Sequence, residues 1–162
     1  MLKRLAAVAL LLLAAGCARP TAAAPLAGAW RSKIAFSSGA FAAIRDLEFM
    51  YVFNAGGTLT ESSNYDEAPP VPPAYGVWRE ISPAEFEARY DFYVTRLPAR
   101  FEEIAGGGGW GPGGHGEFTE RIRLAPDGNS FESTMTYEAF DSAGKPAAGG
   151  GTATGHGTRI GF

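Results

Sequence analysis

The sequence predicts an all-β domain, an eight-stranded antiparallel up-and-down barrel, and three observations carry that prediction. Aromatic and β-branched residues come in short runs separated by Gly, Pro, Asn and Asp. No long segment shows the 3.6-residue periodicity of an amphipathic helix. There are eight such runs, enough for a meander to close on itself and lose its exposed edges. A two-sheet sandwich is the competing arrangement.

The runs follow in order. Residues 29–37 alternate, with Trp30, Ile34 and Phe36 on one face against Arg31 and Lys33. Residues 47–54 are apolar on both faces, and Ala55-Gly56-Gly57 turns them into residues 58–64, a hairpin. Residues 75–81 form the fourth run, and Ser82-Pro83 turns into the fifth, 85–97. There Phe86, Ala88, Tyr90, Phe92 and Val94 share a face against Glu85, Glu87, Arg89 and Asp91. The sixth run is 116–124. Pro126-Asp127-Gly128-Asn129 leads to the seventh, 130–140, and the eighth spans 151–160. Between the runs, 69–73 (Pro-Pro-Val-Pro-Pro) reads as a stiff polyproline spacer. Residues 106–116, nearly all Gly around Trp110, Pro112 and His115, read as a loop.

Ahead of these runs stands a different kind of segment. Lys3 and Arg4 precede an apolar stretch, residues 5–15, too short for a membrane-spanning helix of about 20 residues. Ala15 and Gly16 are small, and Cys17 follows at once. This arrangement resembles the lipobox of bacterial lipoproteins, with Ala14 where Leu is commonest. The resemblance implies a signal peptide over residues 1–16, cleavage before Cys17, lipidation of Cys17, and a membrane-anchored place outside the cytoplasm. Ala18 after the Cys implies the outer membrane, facing the periplasm, in a bacterium with two membranes. Residues 17–27, rich in Ala and Pro, are then a tether, and residues 28–162 one domain of ordinary single-core size.

Cys17 is the sole cysteine, so the domain can hold no internal disulfide and rests on its core. The chain has 14 Lys and Arg against 17 Asp and Glu; loss of Lys3 and Arg4 leaves 12 against 17, a net charge near −5. That balance argues against a nucleic-acid partner, which requires a basic footprint.

Gly28-Ala29-Trp30 opens the first run, and Thr158-Arg159-Ile160 ends the last. The pair resembles the lipocalin (calycin) pattern, in which a Gly-x-Trp plugs one end of the barrel and a C-terminal Arg packs across it. Phe53-Asn54-Ala55-Gly56-Gly57-Thr58-Leu59 and Gly76-Val77-Trp78 also resemble small bacterial lipocalin-like proteins. The Thr-Asp-Tyr signature of lipocalins is absent, since the turn between the sixth and seventh runs reads Ala-Pro-Asp-Gly-Asn. The resemblance implies a barrel closed by Trp30 and Arg159 and open at its other end.

Alternation then nominates the interior. Phe36, Phe49, Tyr51, Tyr75, Phe92, Met135 and Tyr137 are the candidate ligand-binding residues, with Trp30, Val77, Val94, Phe118 and Ile122 beside them. Ser133, Thr154 and Ala88 leave room; whether the barrel is filled or hollow stays open. Glu120 shares the face of Phe118, Ile122 and Leu124, so it is either a buried carboxyl that orients a ligand or a solvent-facing one after a register slip. Arg96 poses the same choice. His115 and His156 lie 41 positions apart with no local ligand spacing, so no metal and no cofactor is expected. No acyl-transfer motif is present, and no catalytic residue is assigned.

Three functions follow as expectations. The first is a lipid-anchored, lipocalin-like protein that binds or carries a small hydrophobic ligand, with residues 65–74 and 105–115 as rim. The second is a calycin-type isomerase or cyclase using Glu120 or Tyr137 on a lipophilic substrate. The third is an interaction lipoprotein with a filled barrel, meeting a protein partner through its acidic surface or Trp110.

Overall fold

A computed structural model describes residues 25–65, 72–106 and 109–161. The predicted signal segment, Cys17, most of the tether and most of the polyproline spacer lie outside the described residues. Eight strands are present: β1 (Gly28–Phe36), β2 (Leu47–Phe53), β3 (Thr58–Ser63), β4 (Ala74–Ser82), β5 (Glu85–Arg96), β6 (Gly111–Leu124), β7 (Ser130–Phe140) and β8 (Pro146–Arg159). Each pairs antiparallel with the next, and β8 returns to β1, so the sheet is a closed up-and-down barrel. The sandwich alternative is excluded.

Tight turns set the register. In the β2–β3 hairpin Asn54 N–H donates to the Thr58 carbonyl and Gly57 N–H to that of Asn54, with Gly57 at φ 85°. In the β6–β7 turn Gly128 N–H donates to the Ala125 carbonyl, and Asp127 Oδ1 accepts from Asn129 N–H. Alternation from these anchors sends Trp30, Ser32 and Ile34 inward from β1, and Phe86, Ala88 and Tyr90 inward from β5. Phe118, Glu120, Ile122 and Leu124 do the same from β6.

Three features depart from the sequence reading. First, β6 begins at Gly111 and β8 at Pro146, five residues earlier than expected in each case. Glycine carries no side-chain pattern, yet its backbone still extends the ladder, as Val94 facing Gly114 and Ala139 facing Ala147 show. His115 is therefore a strand residue. Second, a short helix, α1 (Phe101–Ala105), stands between β5 and β6. Third, β4 is turned over. Ala74 and Trp78 point inward, while Tyr75 (63% exposed) and Val77 (59% exposed) lie on the outer wall. Trp78 fixes this choice: its Nε1 donates to the Asn54 and Thr58 carbonyls beneath the β2–β3 hairpin. Likewise Ala153 and Gly155 face inward and Thr154 outward; Arg96 is exposed, while Val94, 37% exposed, borders the cavity described below.

Candidate functional site

The barrel interior divides along its axis into a floor, a polar middle and a mouth. At the floor Trp30 is fully buried, and its Nε1 donates to the Leu26 carbonyl at 2.9 Å. The Arg159 guanidinium carbon lies 4.1 Å from the centre of the Trp30 ring, a cation–π contact worth about 0.5–2 kcal/mol. Arg159 also donates to the carbonyls of Gly128, Ala27 and Pro25 at 2.8, 2.8 and 2.5 Å. Gly28, at φ 136°, permits this approach, because a Cβ there would lie 2.6 Å from Arg159 Nη1. Phe131 packs on Trp30 with ring centres 5.1 Å apart, and a Cβ at Gly157 would collide with the Phe131 ring. The predicted pairing of Trp30 with Arg159 is thus present in detail.

The middle contains the polar groups. Glu120 is fully buried (0% exposed), and its Oε2 accepts from the Tyr90 hydroxyl at 3.0 Å. Tyr51 and Tyr90 hydroxyls lie 3.3 Å apart, and Met135 Sδ is 3.9 Å from that of Tyr90. Burial pushes the Glu120 carboxyl up to about 7; the neighbouring Ser133, Tyr90 and Tyr51 hydroxyls pull it the other way. Ser133 Oγ is close enough for that influence but out of hydrogen-bonding geometry, and Glu120 Oε1 has no hydrogen-bond partner. Burial, then the Glu120 charge, raise both the Tyr51 and Tyr90 phenols well above their ordinary range.

A second acid stands nearby. Glu61 on β3 is 6% exposed, its Oε1 without a hydrogen-bond partner. Burial, then the charge of Glu120, push its carboxyl up to about 8. Sequence reasoning passed over Glu61, although alternation from Leu59 places it inward by the same rule that nominated Glu120.

The mouth is hollow. A cavity of about 430 Å³ opens at the end away from Trp30. Phe49, Phe92, Phe118 and Tyr137 line it, with Glu61 in its wall. Phe92 and Tyr137 stack with centres 5.9 Å apart, and Gly116 between them keeps the space clear, since a Cβ there would sit 2.5 Å from the Tyr137 ring. Phe41, from the β1–β2 connection, packs on Phe36 and Tyr137 at 5.2 and 5.0 Å between ring centres, and it too borders the cavity. Sequence reasoning missed Phe41 because it belongs to no strand. Of the predicted rim, Tyr65, Pro72, Pro73, Gly113 and His115 do border the cavity.

The predicted ligand-binding residues separate accordingly. Phe49, Phe92 and Tyr137 line the cavity. Phe36, Tyr51, Glu120 and Met135 face the interior without lining it; Phe36 packs against Phe118 and Tyr137. Tyr75 is a correction: it sits on the outer wall, between Thr60 and Asp91, and cannot touch a ligand in the barrel. The two histidines occupy different places. His115 stacks on Phe140 and bonds Glu117, whereas His156 bonds Glu132 on the outer wall. No family model and no curated protein matches the chain.

Proposed function

We propose that this chain is a lipocalin-like (calycin) binding protein that takes a small, largely apolar molecule into the mouth of its barrel. The observation that carries the reading is the open cavity of about 430 Å³, walled by Phe49, Phe92, Phe118 and Tyr137 above a sealed floor. Cavities of this size with aromatic walls and one or two polar groups suit compact lipophilic ligands, because aromatic area contributes burial and the polar group sets orientation. The Trp30–Arg159 closure supports the calycin comparison. The lipobox-like residues around Cys17 support an extracytoplasmic, membrane-anchored protein.

The isomerase or cyclase reading has less support. Glu120, one of its two proton-handling candidates, does not line the cavity, whereas Tyr137 does. The test is native mass spectrometry of the full chain, with extraction and identification of any bound small molecule. A one-to-one lipophilic adduct is the expected result. A bare mass that persists after exposure to a panel of lipophilic compounds would overturn the reading in favour of an interaction protein.

A further inference from the structure

Among the described residues, Glu61 is the only carboxylate that lines the cavity, and His115, held by Glu117 at 3.1 Å, is the only basic side chain. No Lys or Arg borders it among the described residues. Glu61 is more than nine-tenths buried, and its Oε1 has no hydrogen-bond partner among the described residues. An unpaired buried carboxyl oxygen is costly, and a cation brought to the Glu61 carboxyl from the cavity would offset that cost. Aromatic rings, those of Phe49, Phe92, Phe118 and Tyr137, make up part of the remaining wall, and such faces attract cations through their ring quadrupoles.

Resting on the binding reading above, we propose that the ligand is a lipophilic amine, inserted head first so that its ammonium group meets Glu61 against the aromatic wall. A carboxylate or phosphate head at that depth would face Glu61 and, beyond it, Glu120, with no Lys or Arg bordering the cavity among the described residues. Anionic lipids are thereby excluded from this orientation.

Among the described residues, the groups set against Glu61 include no cation. From β2 and β5 come the neutral phenols of Tyr51 and Tyr90, from β6 the Glu120 carboxyl, and from the neighbouring residue of β4 the uncharged Ala74. In the empty cavity this environment holds Glu61 largely protonated near neutrality. An ammonium ion displaces that proton, so amine affinity rises as pH climbs from 6 toward 8. A neutral Glu61 donating to a ligand oxygen would produce the opposite trend.

Octylamine, octanol and octanoate, matched in chain length, separate the possibilities by calorimetric titration of the full chain and of Glu61→Gln. Octylamine is expected to bind about tenfold tighter than octanol or better, as suits a buried charge-assisted hydrogen bond, with octanoate weakest. Glu61→Gln, close to isosteric, is expected to abolish that preference, and a denaturant unfolding transition like that of the unmodified chain certifies its fold. Equal or tighter binding of octanol by the unmodified chain, or an unchanged preference in Glu61→Gln, overturns the amine proposal and leaves the cavity reading standing. Failure of all three compounds to bind overturns the cavity reading itself.

Discussion

The two ends of the barrel follow one alternation rule yet treat their polar groups differently. At the floor Trp30 Nε1 has the Leu26 carbonyl, and Arg159 serves three carbonyls. Toward the mouth, Glu61 Oε1 and Glu120 Oε1 are left without partners, and space remains above them. A satisfied, ring-packed end supports the fold, and an unsatisfied, hollow end is available for recognition. On the proposed binding reading, stability and binding are largely assigned to different residues along one axis.

The sharpest way to break that division is at the floor. Trp30→Ala removes the largest fully buried side chain, the ring under Arg159 and the partner of Phe131. A loss of about 3–5 kcal/mol is expected in denaturant unfolding, typical of an aromatic-to-alanine change in a core. A loss below about 1 kcal/mol would show that the floor does not hold the barrel closed.

How far this division was legible in the sequence depends on what marks each residue. The floor was readable because Gly28-Ala29-Trp30 and Arg159 are large or special residues at opposite ends of the barrel. Strand order was readable because the turns carry Gly, Pro, Asn and Asp. The direction of β4 was not, because Tyr75 and Val77 look more apolar than Gly76 and Trp78 taken together. Only the hydrogen bonds of Trp78 beneath the β2–β3 hairpin decide it. Glycine-rich strand ends were invisible for the reason that makes them useful: without side chains they leave room but no pattern. The cavity needed both facts, since Gly116 leaves room for the Phe92 and Tyr137 rings of its wall and Glu61 supplies its carboxyl.

The second test concerns the polar middle. A carboxyl whose folded pKa is raised binds a proton more tightly when folded than when unfolded. Its stabilising contribution is full below the ordinary carboxylate pKa and is lost as pH rises through the folded value. For Glu61 and Glu120 that window runs from near 4.5 up to about 8 and about 7. Unfolding free energy is expected to fall by a few kcal/mol between pH 5 and pH 8.5. The double variant Glu61→Gln, Glu120→Gln is expected to flatten that slope. The outer-wall carboxyls act elsewhere: hydrogen bonds from Ser82 to Glu85 and from Arg79 to Glu87 lower these two, so their effect appears as pH falls below the ordinary carboxylate range. A stability profile that rises between pH 5 and 8.5 would contradict the buried-acid geometry.

The smallest effect is expected on the outer wall. Tyr75→Ser is predicted to change stability by no more than about 0.5 kcal/mol, as for an exposed site away from special contacts. Ligand affinity in the same titration is predicted to stay unchanged. A marked loss of binding in Tyr75→Ser would return that side chain to the cavity and reverse the orientation of β4.

The pairing of β1 with β8 has a kinetic consequence. β1 emerges first from synthesis, but one of its two neighbours is the strand made last. Until β8 arrives, the growing sheet has two open edges and Trp30 lacks the Arg159 that covers it. Such long-range closure slows folding relative to locally connected helical folds. The barrel is thus a late-locking structure, whose strands can stay unclosed during elongation and seal only when the final one is delivered.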